Sequence, residues 1–89
     1  MTHELQIIAR PQAGGLERIL RTLRVRGFDV QRMQADFDAT KGRFQLGVWV
    51  AGDRALDVLE RQLARLVEVE TVLAVHRGGM SGTVGTPSI

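Results

Sequence analysis

The sequence predicts an α+β fold: a four-stranded antiparallel sheet with two helices on one face, in the order βαββαβ. Three observations predict it. Two stretches, beginning at Leu16 and at Leu56, space their apolar residues by three and four, the period of a helix with one buried face. Four other stretches alternate apolar and polar residues or are rich in β-branched ones, as strands are. Glycines at Gly14-Gly15, Gly27, Gly42 and Gly52 stand where one pattern gives way to the next.

Leu5, Ile7 and Ala9 alternate with Glu4, Gln6 and Ile8, so the first strand buries one face. Pro11 to Gly15 is a loop. Leu16, Ile19, Leu20 and Leu23 then share one side of a helix, with Arg18, Arg21 and Arg24 on the outer side. Gly27 ends that helix at the left-handed position, and Arg24 and Arg26 suit the negative end of its dipole. Phe28 and Val30 open the second strand, but Met33, Ala35 and Phe37 continue it in the opposite parity. Two regular phases so separated imply a bulge near Gln31-Arg32. Asp38 to Gly42 is a hairpin turn, and Phe44, Leu46, Val48 and Val50 alternate cleanly in a third strand. Gly52-Asp53 stops it, with Asp53 as the N-cap of a second helix whose buried face is Leu56, Leu59, Leu63 and Leu66. Val69 to Val75 is the fourth strand, in which Val72 with Ala74 and Leu73 with Val75 compete for the buried side. Right-handed crossovers then give a ferredoxin-like plait of strand order 4-1-3-2, with the second strand at an edge. Residues 1–77 form this single domain, and the glycine-rich run 78–89 reads as a flexible tail.

Composition excludes several functions. With no cysteine there is no disulfide, thiolate metal site or cysteine nucleophile. No apolar run spans a membrane and no secretion signal opens the chain, so a cytoplasmic protein is expected. Twelve basic and ten acidic residues are interspersed, and a net +2 is a weak field for nucleic acid. The outward positions of the first and third strands are Gln6, Ile8, Arg43, Gln45, Gly47 and Trp49, and one tryptophan is no stacking platform for bases. His3 and His76 have no partner nearby in sequence. No nucleophile–base pair and no usefully spaced carboxylates are visible, so catalysis by this chain alone is not expected.

The run Ala9 to Met33 resembles the first half of an ACT domain, a small regulatory module that in many proteins binds amino acids. The whole of Leu5 to Val75 is similar to the small subunits of acetohydroxyacid synthase, also called acetolactate synthase. The segments that carry the likeness are Gly14-Gly-Leu-Glu-Arg-Ile-Leu, Arg26-Gly-Phe-Asp-Val-Gln-Arg-Met33 and Gln62-Leu-Ala-Arg-Leu-Val-Glu-Val69. A single short domain is most similar to the isozyme II type. The resemblance implies a non-catalytic subunit that docks on a large subunit carrying thiamine diphosphate, Mg²⁺ and FAD. It implies activation of that subunit and, in many members, feedback from valine or another branched-chain amino acid. The rival reading from the same family is a free-standing amino-acid sensor.

The resemblance also points to candidate sites. Gly14, Gly15 and Leu16 offer backbone N–H groups at a helix start, suited to an effector carboxylate, although a tight turn facing water explains the glycines as well. Asp29 and Val30 would face that site from a neighbouring protomer, in a homodimer joined through strand 28–37; Asp29 also reads as an edge-strand charge that deters aggregation. Amino-acid-binding members carry asparagines where this chain has Pro11 and Asp29, so weak or absent valine sensing is expected. Ile8 and Trp49 on the helix-free face would make an apolar patch for a partner, and Arg18 and Arg21 would meet an acidic one. The plainer readings of these are surface packing and a solvated helix face.

Overall fold

A computed structural model describes residues 2–75. Alternation of Leu5, Ile7 and Ala9 builds β1 (Thr2–Ala9), with these three side chains fully buried or nearly so. After a loop, α1 (Gly15–Val25) lays Ile19 and Leu23 into the core and rests Leu16 and Leu20 against it. It ends as the sequence predicts. Gly27 takes φ +88°, its N–H donates to the Arg24 carbonyl at 3.0 Å, and the Phe28 N–H donates to the Leu23 carbonyl at 3.0 Å. This pair of bonds is a Schellman motif, and its apolar contact is made by Leu23 and Phe28, both buried.

The next strand, β2 (Asp29–Asp38), pairs antiparallel with β3 (Arg43–Ala51). The register steps from Val30 opposite Val50 to Arg32 opposite Trp49, leaving Gln31 as the extra residue. The bulge thus falls where the parity switch predicts it, and it keeps both Val30 and Met33 on the core side. The hairpin closes with the Gly42 N–H on the Asp38 carbonyl at 2.8 Å. The Asp38 side chain accepts from the Thr40 N–H at 3.0 Å, an Asx turn that pins the loop.

The second helix, α2 (Leu56–Ala64), buries Leu59 and Leu63. Its N-cap is Ala55, not Asp53 as the sequence suggests, and Ala55 has no side-chain group to cap the helix. Gly52 stops β3, and the chain then runs extended through Ala55 (φ −65°, ψ 120°) before it coils, two residues later than a cap at Asp53 would allow. The last strand, β4 (Val69–Val75), pairs antiparallel with β1. A bulge resolves the ambiguity of its phase: Ile8 faces Thr71 but Ala9 faces Val69, so Glu70 is the extra residue. Val69, Val72 and Ala74 therefore all lie towards the core, and Leu73 is 64% exposed.

The sheet order is β2-β3-β1-β4, the predicted plait. The core is one cluster between the sheet and the two helices. α1 lies over the β2 side, α2 over β4, and the helices touch each other. The glycine-rich run 78–89 lies outside the described residues. Among the described residues no helix is long and apolar enough to cross a membrane.

Candidate functional site

The loop between β1 and α1 forms around a carboxylate that the sequence reading overlooks. Gly14 caps α1 in the left-handed conformation (φ 73°, ψ 7°), which a side chain would strain. The Gly15 N–H donates to the Gln12 carbonyl at 2.9 Å. Gly15 is buried against Glu68, so closely that a β-carbon on it would meet the Glu68 Cγ at 3.3 Å. Glu68 is fully buried. Arg18 turns in from the first turn of α1 to meet it, with Nε 3.2 Å from Oε1 and 3.3 Å from Oε2, and donates from Nη2 to the Ala13 carbonyl at 3.1 Å. Arg10 completes the seam: its N–H donates to the Glu68 carbonyl at 2.7 Å and its Nη1 to the Val67 carbonyl at 2.9 Å. The loop, the helix start and the entry to β4 are thereby one unit.

This arrangement bears on every candidate at the helix start. The cavity bounded by Gln12, Gly15, Leu16, Phe44 and Glu68 measures about 20 Å³. That holds one water, whereas small-molecule pockets run to roughly 300 Å³ or more. Gly14, Gly15 and Leu16 lie together at the start of α1. Asp29 and Val30 are not with them: they follow the far end of α1, about 16 Å along an eleven-residue helix. Asp29 is exposed on the edge strand, and Val30 packs on the core opposite Val50. Arg18 leaves the outer helix row for Glu68, while Arg21 stays on the exposed side of α1.

The helix-free sheet face carries both Ile8 and Trp49, but not as one patch. Trp49 is level with Glu4 and Ile8 with Gln45, two rungs apart, which is about 13 Å along a strand. Gln6 and Gly47 lie between them, and the Gln6 amide donates to Glu4 at 2.9 Å. The Trp49 ring leans over Gly47, where a β-carbon would meet it at 3.1 Å, and the Arg32 guanidinium sits 4.8 Å from the ring centroid. An open cavity of about 280 Å³ lies at the hairpin end of this face, walled by Ile8, Lys41, Arg43, Gln45 and Glu70. Its Arg43 guanidinium is engaged by Glu70, Nε to Oε1 at 3.0 Å, and by the Lys41 and Gly42 carbonyls. The Arg43 hydrogen bond holds the Glu70 carboxyl below its ordinary range. Among the described residues no three His, Asp or Glu side chains gather as metal ligands.

The chain matches the ACT-domain model over residues 11–72. It belongs to the ACT-domain family. It is 36% identical over 72 residues to the acetolactate synthase isozyme 2 small subunit of Escherichia coli strain K12, an alignment that takes in 81% of this chain and 83% of that protein. The Shigella flexneri protein of the same name aligns equally well. Within the ACT family the chain therefore stands among the small, regulatory subunits of acetolactate synthase. The fold agrees with solved ACT structures. An acetolactate synthase small subunit from Thermotoga maritima superposes with a TM-score of 0.76 at 22% identity, covering 89% of this chain and 50% of that one. The ACT domain of a Chlorobium tepidum GTP pyrophosphokinase superposes at 0.69 with 16% identity, covering 84% of this chain and 97% of that one.

Proposed function

We propose that this chain is the non-catalytic activating subunit of an acetolactate synthase. It docks on a catalytic large subunit, which supplies the thiamine diphosphate, Mg²⁺ and FAD, and raises that subunit's activity in branched-chain amino-acid biosynthesis. The observation that carries this reading is an identity of 36% sustained over 81% of this chain and 83% of its relative. The test measures acetolactate formation by the cognate large subunit alone, by this chain alone, and by both. Activity that rises only in the mixture is the expected result; no gain on mixing rejects the reading.

The acting form is a homodimer joined through β2. This edge is ten residues long, and its core-side row ends in Ala35 and Phe37, both exposed. Phe37 is 52% exposed and packs edge-to-face with Phe44, at 5.0 Å between centroids. A second copy running antiparallel along β2 would cover that row. It would also bring its own Asp29 towards the end of the sheet where Gly14 lies.

The subunit senses valine weakly or not at all. Pro11 and Asp29 lack the amide groups that orient an amino acid, and each lost polar match costs about 1–3 kcal/mol. Glu68 adds a second reason, because its buried side chain lies against the helix start that a ligand carboxylate would approach. Valine at low millimolar concentration is expected to leave the melting temperature and the activity of the complex unchanged, and Asp29→Asn to restore part of the response. Strong valine inhibition of the wild-type complex would overturn this part alone.

A further inference from the structure

The sheet has two edges, and the structure treats them differently. β4 is an edge because, among the described residues, it pairs with β1 alone. In the register Ala74 stands opposite Leu5, yet the Ala74 N–H does not serve that pair: it donates to Oε2 of Glu60 at 3.0 Å. The N–H thus points to the open side of the strand, where an incoming strand would otherwise accept it. Glu60 reaches it from α2, the helix that covers β4, so the carboxylate sits at the rim of the sheet. The same strand is short, at seven residues, and is bulged at Glu70. β2 is bulged too, at Gln31, and charged at Asp29, Arg32 and Asp36, but among the described residues no helix side chain hydrogen-bonds to its backbone as Glu60 does to that of β4.

We propose that Glu60 seals the β4 edge against strand addition by a second copy of this chain and so leaves β2 as the one edge open to pairing. The geometry gives this a purpose. Two β2 edges join by a two-fold axis, and the assembly closes at two copies. A β2 edge that met a β4 edge would leave a free β2 and a free β4 at the ends, and the sheet would extend without limit. A carboxylate suits the task, since it accepts the N–H strongly and cannot itself donate to a strand. The sealing of β4 stands on the Glu60 contact; only the site at which copies normally join rests on the β2 homodimer proposed above.

The test compares wild type, Glu60→Ala and Glu60→Gln by backbone amide exchange and by sedimentation velocity across a range of concentrations. In wild type the Ala74 amide should be protected although it lies on an outer edge. In Glu60→Ala it should exchange roughly tenfold faster, as expected for loss of one charge-assisted bond. That variant should also grow into concentration-dependent higher assemblies with a native circular dichroism spectrum. Glu60→Gln, which keeps an acceptor oxygen, should behave as wild type. Adding Thr71→Lys to Glu60→Ala should disperse the assemblies, because a lysine on an exposed strand deters edge pairing. If Glu60→Ala fails to fold, Glu60→Leu, which preserves the helix but accepts nothing, takes its place. An unprotected Ala74 amide in wild type, an unchanged size distribution in the acceptor-free variant, or growth that Thr71→Lys does not cure would each overturn the proposal. None of these outcomes depends on a synthase, so activation can fail or succeed separately.

Discussion

Arg18→Ala should destabilise the domain more than Glu68→Gln does, although both remove the same ion pair. The two partners differ in solvation: the Arg18 side chain is 45% exposed and the Glu68 side chain 1% exposed. Without its carboxylate, Arg18 turns to water, and the loss is one charge-assisted hydrogen bond, about 1–2 kcal/mol, lessened by the glutamine that can still accept. Without Arg18, Glu68 keeps a charge in a place water does not reach. Stripping one member from a fully buried pair costs about 3–5 kcal/mol. The exposure of Arg18 means the native pair is partly screened, so about 2–3 kcal/mol is the reasonable figure here. The Arg18→Ala/Glu68→Gln double variant should then be more stable than Arg18→Ala alone, since the second change removes the stranded charge. Urea unfolding of the four proteins gives the cycle directly. For a domain of this size the Arg18→Ala loss corresponds to a fall in melting temperature of roughly 10–20 °C. Equal losses from the two single variants, or a double variant less stable than Arg18→Ala, would refute the view that burial of Glu68 governs the pair.

Two further outcomes follow from local geometry. Ala55 already has the extended backbone of an N-cap but no side chain to do the work, so Ala55→Asp should stabilise α2 by about 1 kcal/mol and raise the melting temperature by roughly 4–8 °C. The Glu70 carboxyl is held below the ordinary carboxylate range by its hydrogen bond to Arg43. Its contribution to stability is therefore complete above the ordinary carboxylate range of the unfolded chain and is lost as the pH falls through the lower range of the folded state. Glu70→Gln should accordingly lower the melting temperature slightly near pH 7 and leave it unchanged in acid, where the wild-type carboxyl is protonated, so that the two acid titration curves converge as the pH falls.

The sequence exposes the parts of this fold that are periodic. Leu5, Ile7 and Ala9 declare the buried side of β1 by alternation, and the switch of parity after Val30 locates the Gln31 bulge because each side of it is long enough to show a phase. β4 hides its phase for the same reason read backwards. The Glu70 bulge leaves Val69 alone on one side, and the five residues after it are nearly all apolar. The Asp53 cap fails because residue preference outweighs the path of the chain in a sequence reading, and that path coils two residues later. Glu68 goes unseen as part of the helix-start site because its partner, Arg18, is fifty residues away. One signal was there: a glutamate inside Leu66-Val-Glu-Val69, at a point where every other residue is aliphatic. A buried carboxylate of that kind requires a cation, and only tertiary structure names which one.

Trp49 is the sole tryptophan of the chain, and it lies half-buried on the sheet face away from the helices, over Gly47 and beneath Arg32. Its emission is therefore a compass for docking. A macromolecule that lands on the sheet side must shed water from the indole or displace the guanidinium above it, and the spectrum will shift. One that lands on the helix side, against Arg21, leaves the indole's surroundings as they are. The native chain thus carries an intrinsic reporter that distinguishes the two faces of the molecule, without a label and without a substitution.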